Sequence, residues 1–239
     1  MQLYRSKRLK TKHLFTSRKG GVSKPPYDSL NFAYHVGDRR DDVVINHKLL
    51  AAEAGYDFKK LVFMNQIHSN KVVVIDEESF VIPSCDALVT NLLDTPLMVM
   101  SADCAPLLLH DAVCGVIAAV HAGRAGAFGN IAGRVVATMQ ERFGSDPADI
   151  HIALGARICA GCYEVSSKEI EEAEALGYGF ACRENHLDID AILAHQLLAC
   201  GCKEENMDFL PHCSRCENKS FFSYRAEKVT GRNAAVIVL

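Results

Sequence analysis

Residues 96–121 hold three apolar runs in succession: P-L-M-V-M-S-A, A-P-L-L-L-H and C-G-V-I-A-A-V-H. Asp111 and Gly115 mark the turn between the last two. Each run is apolar at odd and even positions alike. A strand with one wet face would alternate, so these strands must be covered on both sides.

Other segments supply candidates for the covering layers. Residues 38–54 read as a helix, with Asp38 able to cap and Val43, Val44, Leu49 and Leu50 recurring at near-helical spacing. Helices are also expected from about 127 to 143, at 166–176 and at 188–200. L-V-F-M-N-Q-I-H (61–68) and K-V-V-V-I (71–75) read as a hairpin-like strand pair around Ser69-Asn70. D-I-H-I-A-L-G (149–155), F-F-S-Y-R (221–225) and A-A-V-I-V-L (234–239) read as strands. Residues 17–31 are the clearest loop, broken by Gly20-Gly21 and Pro25-Pro26. Adjacent strand pairs mixed with helices predict an α+β chain with mixed sheets rather than a regular βαβ repeat.

Composition bounds the function classes. With 49% apolar residues and a formal net charge of −3, the chain lacks the positive footprint of an obligate nucleic-acid binder. No apolar run approaches the roughly 18–20 residues of a membrane span. The basic N-terminal stretch (Arg5, Lys7, Arg8, Lys10, Lys12, Arg18, Lys19) has Leu9, Leu14 and Phe15 spread among polar residues, unlike a signal peptide, so a cytoplasmic protein is expected. Glycine-rich nucleotide loops and the G-x-S-x-G elbow are absent.

Three segments place a histidine or cysteine at a strand end: N-Q-I-H-S (65–69), S-A-D-C-A-P (101–106) and A-V-H-A-G (119–123). If those ends meet, His68, Cys104 and His121 make a soft three-ligand set, with the fourth zinc position left for water or substrate. A bound zinc would bring the pKa of that water toward neutrality. The rival reading of the same residues is a Cys104–His121 nucleophile pair oriented by Asp103, and a metal titration separates the two.

A second metal reading uses C-A-G-C (159–162) and C-S-R-C (213–216) as a closed four-thiolate site. The long gap between them, with two expected helices inside, exceeds the usual ribbon spacing. Multinuclear copper is unlike this chain, because the 10 histidines are scattered and no His-x-His occurs. Arg18, Arg225 and Arg232 are available for an anion, or else brace the fold.

Ten short segments then match one family in order. They are T-S-R-K-G-G-V-S, Y-D-S-L-N, V-G-D, N-Q-I-H, D-A-L-V-T, A-D-C-A-P-L-L-L-H-D, A-A-V-H-A-G, C-Y-E-V, F-F-S-Y-R and T-G-R. The chain resembles the polyphenol oxidase or laccase-domain family, now described as adenosine/inosine phosphorylases, whose bacterial members are also called peptidoglycan editing factors. The resemblance implies one domain over 1–239, a four-layer α/β/β/α sandwich, with one zinc ion on His68, Cys104 and His121. It implies phosphorolysis of adenosine, inosine and methylthioadenosine, together with adenosine deamination. The alternatives are a hydrolase that edits mis-aminoacylated peptidoglycan precursors and a non-catalytic zinc-binding interaction protein.

On that footing Cys104, His121 and Asp103 are the expected catalytic residues, and Asp103 either acts as acid/base or orients a ligand. Arg18, Asn31, Gln66 and Arg124 are the expected substrate contacts, with bracing the alternative for Asn31 and Gln66. The expected partners are a purine nucleoside and phosphate, with no nucleic acid and no membrane, in a monomer or homodimer. The chain departs from the family after H-A-G. Arg124 stands where many relatives have tryptophan, Ala125 where they have arginine, and Arg157 lies in G-A-R-I where G-P-A-I is common. The cleft wall is therefore expected to be more positive and less aromatic than usual.

Overall fold

A computed structural model describes residues 1–76 and 82–239. Its strands, in chain order, are β1 (Leu3–Tyr4), β2 (Lys12–Thr16), β3 (Val62–Phe63), β4 (Val72–Val74), β5 (Ala87–Thr90), β6 (Leu97–Ser101), β7 (Ala105–Asp111), β8 (Val116–Ala122), β9 (Ile150–Leu154), β10 (Cys182–Arg183), β11 (His186–Leu187), β12 (Met207–Phe209) and β13 (Asn233–Val238). The helices are α1 (Arg40–Ala54), α2 (Arg124–Phe128), α3 (Ile131–Phe143), α4 (Ser167–Ala175), α5 (Ile189–Ala199) and α6 (Tyr224–Glu227).

Two mixed sheets face each other. One has five strands in the order β1-β2-β13-β6-β3, the other six in the order β12-β9-β7-β8-β5-β4. Three separate buried clusters show how they are covered. Between the sheets, Phe15, Leu97, Val99, Ala235 and Ile237 meet Leu88, Leu108, Ile117, Ala119 and Ala153. On the outer face of the five-stranded sheet, Leu14, Met98, Met100 and Val236 pack under Leu50 of α1. On the outer face of the six-stranded sheet, Leu107, Leu109, Ala118 and Val120 pack under Val135, Val136 and Met139 of α3 and Ile192, Leu193 and Leu197 of α5. The stack is therefore helix, sheet, sheet, helix.

The unbroken apolar runs now have their cause. Neighbouring residues of β7 and β8 serve different cores: Leu108 and Ala119 point between the sheets, Leu107 and Ala118 outward. Truncating one such leucine to alanine costs about 2–5 kcal/mol, since the cavity adds to the lost transfer energy. His121 shares the parity of Ile117 and Ala119, so it ends β8 at the rim of the inter-sheet layer.

Several local expectations fail for physical reasons. The segments at 61–68 and 71–75 form no hairpin. β3 pairs parallel with β6 in one sheet, and β4 pairs parallel with β5 in the other, so the chain crosses between layers there. F-F-S-Y-R is not a strand: Ser223 accepts the Ala226 N–H and caps the short α6, while Phe221 and Phe222 are buried in the turn before it. The helix expected from 127 to 143 starts earlier and breaks in two at Asn130, which is left-handed at φ 59°. Asp38 does not cap α1 through a free helix donor. It accepts from the Arg39 N–H and from Asn31 Nδ2 instead. No described helix is long and apolar enough to cross a membrane.

Candidate active site

Register brings the three strand ends together. β7 and β8 pair antiparallel with Ala105 opposite Ala122, which sets Cys104 against Gly123. β5 and β8 pair with Ala87 opposite Val120, so Asp86 falls beside His121 and its carbonyl accepts the His121 N–H at 2.8 Å. His68 arrives from the crossover between sheets, held at φ 57°. The donor atoms of His68, Cys104 and His121 lie within 4.8 Å of one another. The two imidazole rings are edge-on, with centroids 4.8 Å apart.

One carboxylate organises both histidines. Asp86 is fully buried, and its Oδ1 accepts from His121 Nδ1 at 2.9 Å and from the His68 N–H at 3.0 Å. Its Oδ2 accepts the Ser69 N–H and hydroxyl, at 2.6 and 2.7 Å. Those bonds satisfy the turn that keeps His68 in its strained left-handed conformation. They also place one proton of His121 on Nδ1, so Nε2 is the nitrogen that can serve as a ligand once it has given up its own proton. Burial opposes the charge on Asp86, yet the bonds from His121 and Ser69 hold its pKa below the ordinary carboxylate value. Asp86 was not among the expected site residues. Its signal is a carboxylate set directly before the apolar strand A-L-V-T, where a charge must have a partner.

Small size after His121 also has a cause. A Cβ on Gly123 would sit 3.0 Å from Cys104 Sγ and 3.2 Å from His68 Cδ2. The thiol of Cys104 is pulled down to about 6: burial works against the thiolate, but attraction and hydrogen bonding from His121 and His68 outweigh it. Burial likewise disfavours the imidazolium of His121, while the Cys104 thiolate and Asp86 drive its pKa up to about 9. The donor set is thus biased toward an ionised sulfur before any metal arrives.

The triad lines a cleft of about 1180 Å³. Arg40, Arg124, Arg225, Lys228 and Arg232 bring positive charge to its walls, against the carboxylates of Asp103 and Glu169. Tyr34, Phe63, Tyr163 and Tyr224 bring flat rings. Arg225 lies over the Tyr163 ring at 5.3 Å and Arg40 over Tyr34 at 5.2 Å, so charge and aromatic surface are interleaved. Tyr163 and Tyr224 fall within the C-Y-E-V and F-F-S-Y-R segments, whereas Tyr34, Arg40 and Lys228 lie in none of the ten matched segments.

The remaining expected residues divide. Asp103 lines the cleft but does not orient His121. Its Oδ1 accepts from Ser214 and Ser223 hydroxyls at 2.6 and 2.7 Å, and its Oδ2 from the Arg225 N–H at 2.6 Å. Gln66 lines the cleft with its amide paired to both backbone groups of Met100. Arg124 lines it too, tied to Glu169 at 3.1 Å and Glu172 at 2.9 Å on α4. Arg18 and Asn31 are set back from it. Arg18 is buried over Phe222, and its guanidinium donates to Asp28, Asn218 and Glu227. Asn31 is buried too. It donates to Ala33 and Asp38 and accepts the N–H groups of Ala33 and Arg232.

Fold and cleft together define a mixed α/β scaffold with a candidate three-ligand metal set at the end of an inter-sheet layer. The chain belongs to the family described as multi-copper polyphenol oxidoreductase laccase, whose model matches residues 12–239. It is 42% identical over 233 residues to a purine nucleoside phosphorylase of Corynebacterium glutamicum, covering 95% of this chain and 93% of the relative. An adenosine deaminase from an unknown prokaryotic organism is 34% identical over 229 residues, covering 88% and 87%. Among solved structures, YlmD from Geobacillus stearothermophilus superposes with a TM-score of 0.89 at 29% identity, covering 98% of this chain and 93% of that one.

Proposed function

We propose that this chain is a purine nucleoside phosphorylase that also deaminates adenosine, with one zinc ion held by His68, Cys104 and His121. The juxtaposition of that donor set with a cationic, ring-lined cleft carries the proposal. Relatives named for the two activities support it.

The donor set suits zinc. Two imidazoles and a thiolate are borderline-soft ligands, and His68, Cys104 and His121 would hold the ion with three protein donors, the number typical of a catalytic rather than a structural zinc. The space kept by Gly123 and the second hydrogen bond of His121 to Asp86 are the supports such a centre needs. The family description names copper, which also accepts imidazole and thiolate. Among the described residues, however, no histidine-rich cluster of the multinuclear copper kind accompanies the triad. A zinc ion bound there supplies a Lewis acid and an acidified water at neutral pH.

The chain's own groups do the rest. Phosphorolysis breaks the bond from ribose C1′ to the base and forms a C1′–oxygen bond to phosphate. The nucleophile is an anion, and Arg225, Lys228, Arg232 and Arg40 hold and orient it. The tyrosine rings and Phe63 hold the purine. Deamination exchanges the C6 amino group for a water oxygen and releases ammonia. Asp103 is a positioning residue that fixes the peptide before Cys104. Arg124 sets the cleft rim beside α4, and Gln66 keeps the crossover strand against β6. Arg18 and Asn31 act through the loops that they brace, the latter by holding the backbone of Arg232.

The test is inosine with the purified protein, with and without phosphate. Hypoxanthine and ribose 1-phosphate are expected only with phosphate. Equal hypoxanthine release in its absence would overturn phosphorolysis. Ammonia released from adenosine without phosphate is the expected sign of the second activity.

A further inference from the structure

The two C-x-x-C segments, far apart in sequence, meet in space. The sulfurs of Cys159, Cys162, Cys213 and Cys216 all lie within 4.8 Å of one another, and Cys162 Sγ is 3.3 Å from Cys216 Sγ. All four are free thiols. Four sulfurs around a zinc ion at about 2.3 Å stand roughly 3.8 Å apart along each tetrahedral edge. The cluster is already close to that spacing.

Core packing does not account for the gathering. Three of the four are only half-buried and Cys216 is exposed, so they fill no interior. Each pair sits on a tight turn. The Cys162 N–H donates to the Cys159 carbonyl at 2.9 Å, and the Glu217 N–H to the Cys213 carbonyl at 2.9 Å. Backbone N–H groups of Cys159 and Cys216 are directed at Cys213 Sγ, at 3.3 and 3.5 Å. Such donors stabilise sulfur as a thiolate and orient it as a ligand. A parallel bridge between Arg157 and Cys213 and a bond from Arg215 to the Cys162 carbonyl tie the turns together.

We propose that these four cysteines form a closed, structural zinc site that shares no ligand with the His68–Cys104–His121 set. On binding, four S–H protons are released and four zinc–sulfur bonds form. No coordination position is left open, so the site holds structure rather than substrate. What it holds is one wall of the cleft. Tyr163 follows Cys162 directly, and Ser214, between Cys213 and Cys216, donates to Asp103 at 2.6 Å. The Ile158 N–H, beside Cys159, donates to the Asp103 carbonyl at 2.9 Å. The clip thus bears on the peptide that carries Cys104.

Zinc content of the full-length chain, purified under reducing conditions, tests this independently of any turnover. One zinc ion in each of the two clusters is expected. His68→Ala should lose one and keep the other, and Cys216→Ser should do the reverse. Cobalt(II) loading of His68→Ala guards against a variant that misfolds. The strong thiolate-to-cobalt charge-transfer bands of a tetrahedral site are expected there and should vanish in His68→Ala/Cys216→Ser. A single zinc in the wild type, lost in His68→Ala, would overturn the proposal. So would four thiols that react freely with a thiol reagent in the folded protein, or a mass lowered by disulfide formation.

Discussion

Asp86 and His121 are joined twice, backbone to backbone at 2.8 Å and carboxylate to imidazole at 2.9 Å. The first bond extends the β5–β8 ladder, and the second uses that ladder to aim a ligand. Because the same carboxylate also accepts from His68 and Ser69, one buried charge fixes two of the three candidate metal donors.

Asp86→Asn tests that arrangement. An amide cannot accept from His121, His68 and Ser69 together without turning its own N–H group on one of those donors. Outer partners of this kind typically carry 10–100-fold in metal affinity. Metal affinity, read by competition with a chromophoric chelator, is expected to fall by about that factor. An unchanged affinity would remove Asp86 from the site.

Gly123→Ala probes the space behind His121. The backbone at φ −81° accepts alanine without strain, so any loss belongs to the crowding of Cys104 and His68. A stability change of about 1 kcal/mol is expected, as for mild overpacking. Metal affinity and turnover should drop together and further in Gly123→Val. Full metal affinity in the valine variant would count against the close approach.

The contrast between Cys104 and Arg18 shows what a single sequence can disclose. The candidate donors His68, Cys104 and His121 stand out in the sequence because each lies at or near the end of an expected strand, and strand ends gather at the rim of a sheet. Arg18 sits in a glycine loop that looks made for an anion, but its partner Glu227 comes from the other end of the chain. The meeting of Cys159 with Cys213 stood in the sequence only as a rival metal reading, because the gap between the two pairs exceeds ribbon spacing; parallel pairing of β9 with β12 makes it possible. The crossover at 64–71 was misread because a β-branched run, a turn and another run describe a hairpin and a change of sheet equally well. Only the partner strands β6 and β5 decide between them.

Arg232→Met separates the two proposed reactions. Methionine keeps the apolar stem and removes the charge from the cleft wall. A hydrogen bond to a charged group is worth about 1.5–3 kcal/mol. The KM for phosphate in inosine cleavage is expected to rise roughly 10–100-fold. Adenosine deamination consumes no phosphate and should change little. Equal loss of both would mean that Arg232 supports the site as a whole.

His47 predicts an acid limit to stability. It is fully buried, stacked on Tyr34 at 5.3 Å and edge-on to Phe32. Nε2 donates to the Phe32 carbonyl at 2.9 Å, and Nδ1 has no hydrogen-bond partner among the described residues. Burial pushes its pKa down to about 4 from the ordinary 6.5. Below pH 6.5 the unfolded chain therefore binds a proton that the folded chain refuses until about pH 4. Stability falls across that window, by about 2 kcal/mol between pH 7 and pH 5 from this group alone. His13, His110 and His151 are shifted the same way and add to the slope. His47→Phe removes the proton site at the cost of the bond to Phe32, so it should be less stable at pH 7 yet lose less on acidification. Urea unfolding at the two pH values measures this. An equal loss in both proteins would show that His47 does not set the acid limit.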